Sequence, residues 1–161
     1  MITGLIDIIS REAQVFEAFL ALLNQQKTML VSNNIDGLNA TTELQREKLV
    51  ESQLLARERE RFVEQIKIVN ALDGDLTVSR LIELVDSEHA ETLHQLKETI
   101  IALNQKIAKV RDSNAMLINQ SREFISRTMT MLAQIGRSES AYDRAGCERD
   151  QKSTLLLDRT I

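Results

Sequence analysis

The residues in this 161-residue chain best placed to do chemistry are Glu91-Thr92-Leu93-His94. A Glu-x-x-His pair sets a carboxylate and an imidazole one turn apart on a helix, and di-iron centres in helical bundles combine two such pairs with further inward glutamates. The sequence holds no second copy, and the surrounding heptad puts Glu91 at f and His94 at b, on the solvent side. His89 continues the seam at d, where a histidine near a helix start is more often a buried-edge residue than a ligand. No metal is expected. Cys147 is the single cysteine, which excludes an internal disulfide, and there is no CxxC, no GxSxG and no phosphate-binding glycine loop. No catalytic residue and no cofactor is expected, and the chain reads as a binding protein rather than an enzyme.

A second residue invites a different chemistry, that of recognition. Tyr142 is the only tyrosine, and it sits in the polar stretch "SESAYDRAGCERD" of residues 138 to 150. An exposed tyrosine is a rigid amphipathic anchor that dominates many interfaces. Gly146 follows, and a glycine can take a positive φ that turns the chain away once the ring is seated. The competing reading folds the ring back onto the last long helix near Phe124 or Met131. Further on, Leu155, Leu156, Leu157 and Ile161 form a second apolar hook in an otherwise charged tail.

These residues must be positioned by helices. Aromatic residues make up 3% of the chain and Pro and Trp are absent, so the core is built from Leu, Ile, Val and Met, which favours narrow helix-to-helix seams. Residues 2 to 31 carry Ile2, Ile6, Ile9, Ala13, Phe16, Leu20, Leu23, Lys27 and Leu30 at alternating spacings of four and three, a heptad seam. Leu5, Ile8, Val15, Phe19, Leu22 and Met29 widen that face, so this helix either packs against two neighbours or leaves apolar surface for a partner. "SNNIDG" at 32 to 37 predicts a turn, and a second helix follows over about 38 to 72 with Leu44, Leu49, Leu55, Phe62, Ile66 and Val69 on its stripe. Its "RERERF" segment reads as a solvated face of local ion pairs.

After a break at "ALDGDLT", residues 71 to 77, the pattern predicts a short helix over 79 to 86 and a long one over 88 to 135, capped by Asp86 or Ser87 and ended by Gly136. The long helix runs on strict three-four spacing through Leu93, Leu96, Ile100, Leu103, Ile107, Val110, Asn114, Leu117, Ser121, Phe124, Thr128, Met131 and Ile135. Asn114, Ser121 and Thr128 take the a position, where polar residues set register or partner number. At roughly 1.5 Å per residue that helix would span about 70 Å. The expected fold is all-α, an elongated antiparallel helical bundle or coiled coil over 1–136 with a mobile partner-binding tail over 137–161.

Several classes are excluded by composition. The longest apolar run, residues 18 to 23, is far short of the roughly 20 residues that cross a bilayer, so no stable membrane insertion is expected. The first residues lack a positive n-region and place Asp7 inside their apolar stretch, unlike a secretory signal, and with the lone cysteine this points to a cytoplasmic protein. A net charge of -4 without a basic cluster argues against nucleic acid.

The order of elements, with "LLNQQKTMLVSNNIDGL" at the first turn, "REKLVESQLLARERERF" in the second helix and "SNAMLINQSREFISRTMTML" leading through a polar gap to "YDRAG", resembles the FlgN family of flagellar type III export chaperones. The resemblance implies a chaperone that binds hook-associated proteins of the hook-filament junction, keeps them from assembling early and delivers them to the cytoplasmic domain of the export gate. It implies gate docking by Tyr142 with Gly146, and client contact by the C-terminal part, here Leu155, Leu156, Leu157 and Ile161. The alternative is a structural coiled-coil adaptor with no client-holding role.

Overall fold

A computed structural model describes residues 1–71, 74 and 76–143, with residues 136–143 described through their backbone alone. Four helices follow one another: α1 (Ile2–Val31), α2 (Ile35–Val69), α3 (Val78–Leu84) and α4 (Ser87–Asp143). No strand occurs among the described residues. The chain divides into two units, Met1–Ile118 and Asn119–Ile161.

In the first unit α1 and α2 form an antiparallel hairpin. The turn at Ser32–Asn34 is tighter than the sequence suggests: Asn33 takes a left-handed φ of 53°, and Asn34 caps α2 by accepting from the Gly37 amide at 2.9 Å. Ile35, Asp36 and Gly37 are therefore helical, not turn. The first half of the wide face of α1 belongs to the core, and Phe19, Leu22 and Met29 further along it are half-buried. Leu5, Ile8 and Val15 from the flanking stripe are buried beside Ile9, Ala13 and Leu23 of the seam, as a helix between two neighbours requires. No partner surface survives at Leu5.

α2 departs from its expected stripe. Leu44, Leu49 and Val69 are exposed, while Leu55, Phe62 and Ile66 of the expected stripe do face inward; the inward heptad runs through Thr41, Gln45, Lys48, Ser52, Leu55, Arg59, Phe62 and Ile66, polar in its first half and mostly apolar in its second. Polar seam positions are tolerated when partnered across the interface. Arg59 reaches from α2 to the buried Glu12 of α1 at 3.0 Å, and Gln45 meets Gln26 and the Leu22 carbonyl. The Arg-Glu run is thus part interface, since Glu58 also approaches Arg11 at 3.9 Å.

α3 closes one end of the core, where Leu81 joins Leu5, Ile9, Ile66 and Leu93. Asp86 caps α4 by accepting from the His89 amide at 3.1 Å, and the side-chain hydrogen bond from His89 holds the exposed Asp86 carboxyl below its usual range. His89 is thus held by a helix cap and is half-buried, the buried-edge residue expected rather than a ligand. From there α4 runs parallel to α1. Leu93 is fully buried, and Asn114, 2% exposed, donates to the Leu23 carbonyl at 2.8 Å and to Gln26 Oε1 at 2.9 Å.

The Asn114 layer joins three helices through Gln26 and Gln45, the register role that a polar a position suggests. It is imperfect, because Asn114 Oδ1 is buried without a hydrogen-bond partner among the described residues. An unpaired buried acceptor costs about 1–3 kcal/mol, and Leu has the same branching at Cγ as Asn without its polar atoms. Asn114→Leu is therefore expected to raise the thermal midpoint, by about 2–4 °C for a net gain near 1 kcal/mol. A lowered midpoint in a thermal melt would show that the two donated bonds outweigh the unpaired oxygen.

α4 does not stop at Gly136. It continues to Asp143, so the first residues after Gly136 are helical.

Candidate partner-binding face

The register of α1 against α4 shows where the core must end. Gln26 and Asn114 are 88 residues apart, and the same offset separates Leu5 from Leu93. The last described hydrogen bonds between α1 and α4 are those of Asn114 with Leu23 and Gln26. The burial of the α4 seam follows it: Leu93, Leu103 and Asn114 are buried and Leu117 is half-buried, whereas Ser121, Phe124, Thr128, Met131 and Ile135 are exposed. The periodic pattern continues while its cover does not.

The second unit, taken by itself, carries a broad apolar face. Phe124 and Met131 lie at d, Ile125 and Leu132 at e, and Met129 at b, positions that adjoin one another around a helix, and these five side chains are between 57% and 73% exposed. Ser121 and Thr128 run between the d and e rows. Thr128 Oγ1 donates to the Phe124 carbonyl at 2.9 Å, which satisfies its polar hydrogen within the helix. Small residues flanked by two rows of large ones make a shallow channel, and the ridge of another helix packs into such a channel. The opposite side is polar, with Arg127 paired to Glu123. A stripe of large exposed apolar side chains rimmed by polar ones marks a protein interaction site.

Tyr142 lies in the last turn of α4, seven residues beyond Ile135 and hence at the same a register as Ser121 and Thr128. Gly146, Leu155, Leu156, Leu157 and Ile161 lie outside the described residues, as does Cys147.

Glu91 and His94 are exposed, and no cluster of three or more metal-ligating side chains occurs among the described residues. In the cleft lined by Ile9, Glu12, Arg59 and Lys97, Arg59 is paired with Glu12 and Lys97 donates to Ser79 at 3.1 Å. No helix among the described residues is long and apolar enough to cross a membrane.

Sequence reasoning found Phe124 and Met131 but assigned them to a closed seam, and it passed over Ile125, Met129 and Leu132. The available signal was length: the seam of α4 outlasts a 30-residue α1 that must cover it in register.

Neither a curated protein nor a solved structure matches the chain. Residues 1–149 match the family described as FlgN protein, which covers the three bundle helices, the whole apolar face and the Tyr142–Gly146 segment. The chain belongs to the FlgN family of flagellar export chaperones.

Proposed function

We propose that this protein is a cytoplasmic holdase for hook-associated proteins of the hook-filament junction, which it keeps from assembling early and delivers to the cytoplasmic domain of the flagellar type III export gate. The observation that carries the reading is the open face at Phe124, Ile125, Met129, Met131 and Leu132 of the second unit, five large apolar side chains that are all exposed. An amphipathic helix laid into a channel between two apolar rows buries its own stripe there, which is how a helix-in-groove interaction holds a client. Leu155, Leu156, Leu157 and Ile161 extend the client contact, and Tyr142 with Gly146 docks on the gate.

Size-exclusion chromatography of the purified chain mixed with a purified hook-associated protein tests the reading. A stable complex at micromolar concentration is the expected result. A coiled-coil adaptor without a client-holding role gives two separate peaks, and that outcome would retire the holdase assignment.

A further inference from the structure

We propose that the cleft between α2 and α4, above α1, is a binding site for a small amphipathic monocarboxylate, one anionic head on a short apolar body. The cleft exists because α3 is short. Its seven residues cover the groove at Leu81, over Leu5 and Ile9 of α1, and the cover begins at Val78. Further along α1 the groove is open, and a cavity of about 320 Å3 lies there, floored by Glu12 and Phe16 with Arg59 and Lys97 on its two walls. A site of that size is at the small end of those that take organic ligands, and at about 30 Å3 for each water it holds roughly ten. It is too small for a helix about 10 Å across, and it suits a molecule of about ten non-hydrogen atoms.

Charge selects the head group. The lining carries two cations, Arg59 and Lys97, against one carboxylate, Glu12, which leaves one positive charge over. Glu12 is buried and already engaged, its two oxygens 3.1 and 3.0 Å from Arg59 Nε. That contact uses one of the five guanidinium N–H groups, and the terminal nitrogens of Arg59 form no hydrogen bond among the described residues. Lys97 donates to Ser79 at 3.1 Å and pairs with no carboxylate among the described residues. A ligand carboxylate can accept from both cations inside one cavity, in charge-assisted bonds strengthened by the apolar walls beside them. A cationic head would meet two like charges instead.

The rest of the lining sets the body. Ile9, Phe16, Ile100 and Ile101 are apolar, and a short hydrocarbon chain laid on them leaves water as they do. The site lies in the first unit and uses no residue of the apolar face in the second. Because all four helices contribute to the lining, occupancy favours the folded bundle, and the thermal midpoint should rise with ligand concentration.

Isoleucine methyl NMR of the full chain tests the assignment, with sodium octanoate as the probe and octanol and octylammonium as controls. Octanoate should shift the Ile9, Ile100 and Ile101 methyls saturably with a Kd of about 1 mM, an ordinary affinity for ten non-hydrogen atoms. Octanol and octylammonium should bind about tenfold more weakly or worse, since neither makes the charge-assisted bonds. Lys97→Gln keeps a donor for Ser79 and removes the charge, so it should weaken octanoate about fivefold or more while the other methyl signals stay in place. Arg59 is left intact because Glu12 depends on it. Ile125, exposed in the second unit, is the internal control. Silent cleft isoleucines, octanol binding as tightly as octanoate, or Lys97→Gln binding like the parent chain would each overturn the proposal. So would shifts of equal size at Ile125, which mean adsorption to any apolar surface. No client enters the experiment, so its failure is separate from failure of the holdase reading.

Discussion

Placing two charges in the α4 face, Phe124→Lys with Leu132→Lys, is expected to weaken binding of a hook-associated client by about 100-fold or more while leaving the thermal midpoint almost unchanged. Both halves follow from the same placement. In the free protein Phe124 and Leu132 are 73% and 58% exposed, so a lysine there loses no hydration, and surface substitutions of this kind stay within about 0.5 kcal/mol. Lysine is also a good helix former, so α4 itself is not weakened. In a complex the same ammonium groups would be trapped between apolar rows without partners, and truncated or unpaired charges at interfaces cost about 2–5 kcal/mol. A factor of 100 corresponds to about 2.7 kcal/mol, at the low end of that range. The matched control is Leu44→Lys with Leu49→Lys, two exposed leucines on α2 that are not part of the face. Titration calorimetry should show the control pair binding like the parent chain. Unchanged affinity for the α4 pair would move the client site off this helix.

That expectation could be framed only with the helices in register, which shows what periodicity conveys. Alternating three and four spacing says that a helix has an apolar face, because residues at those intervals lie one above another. It does not say what covers the face. For Leu93 to Leu117 the cover is α1 and its neighbours, and for Phe124 to Leu132 the described residues provide none, yet the sequence signal is the same in both parts. The wide stripe of α1 posed the converse ambiguity, and burial of Leu5, Ile8 and Val15 resolves it as core.

The discrepancies in α2 and at Gly136 have separate causes. In α2 the side chains facing α1 include Thr41, Gln45 and Arg59, each partnered, so the inward heptad is carried by polar residues while Leu44 and Leu49 point outward. A search for apolar residues therefore finds the inward face at Leu55, Phe62 and Ile66 and misses it in the first half of α2. At Gly136 the helix simply continues, since one interior glycine costs only about 1 kcal/mol relative to alanine and no proline follows to enforce a stop.

Continuity through Gly136 sharpens the expectation for Tyr142. Tyr142→Ala is expected to weaken binding to the export-gate cytoplasmic domain by about 2 kcal/mol, or roughly 30-fold, with helicity and thermal midpoint nearly unchanged. Tyr142 lies one heptad past Ile135, in the last turn of α4. A tyrosine there offers a large ring with only two side-chain torsions to fix, so its ordering costs little against the area it buries. The competing arrangement folds the ring back along α4 toward Phe124 or Met131. The two differ in what truncation removes. An anchor contributes only when the gate is present, so alanine changes the affinity and leaves the melt alone; a ring packed on its own helix contributes in the free protein, so alanine lowers the midpoint and spares the gate. Tyr142→Phe separates the parts of an anchor, because retained affinity assigns the energy to the ring and a loss near that of alanine assigns it to a hydrogen bond from the hydroxyl. Measured gate affinity and thermal midpoint for these two variants decide between the arrangements, and a lowered midpoint with intact gate binding would withdraw the docking role from Tyr142.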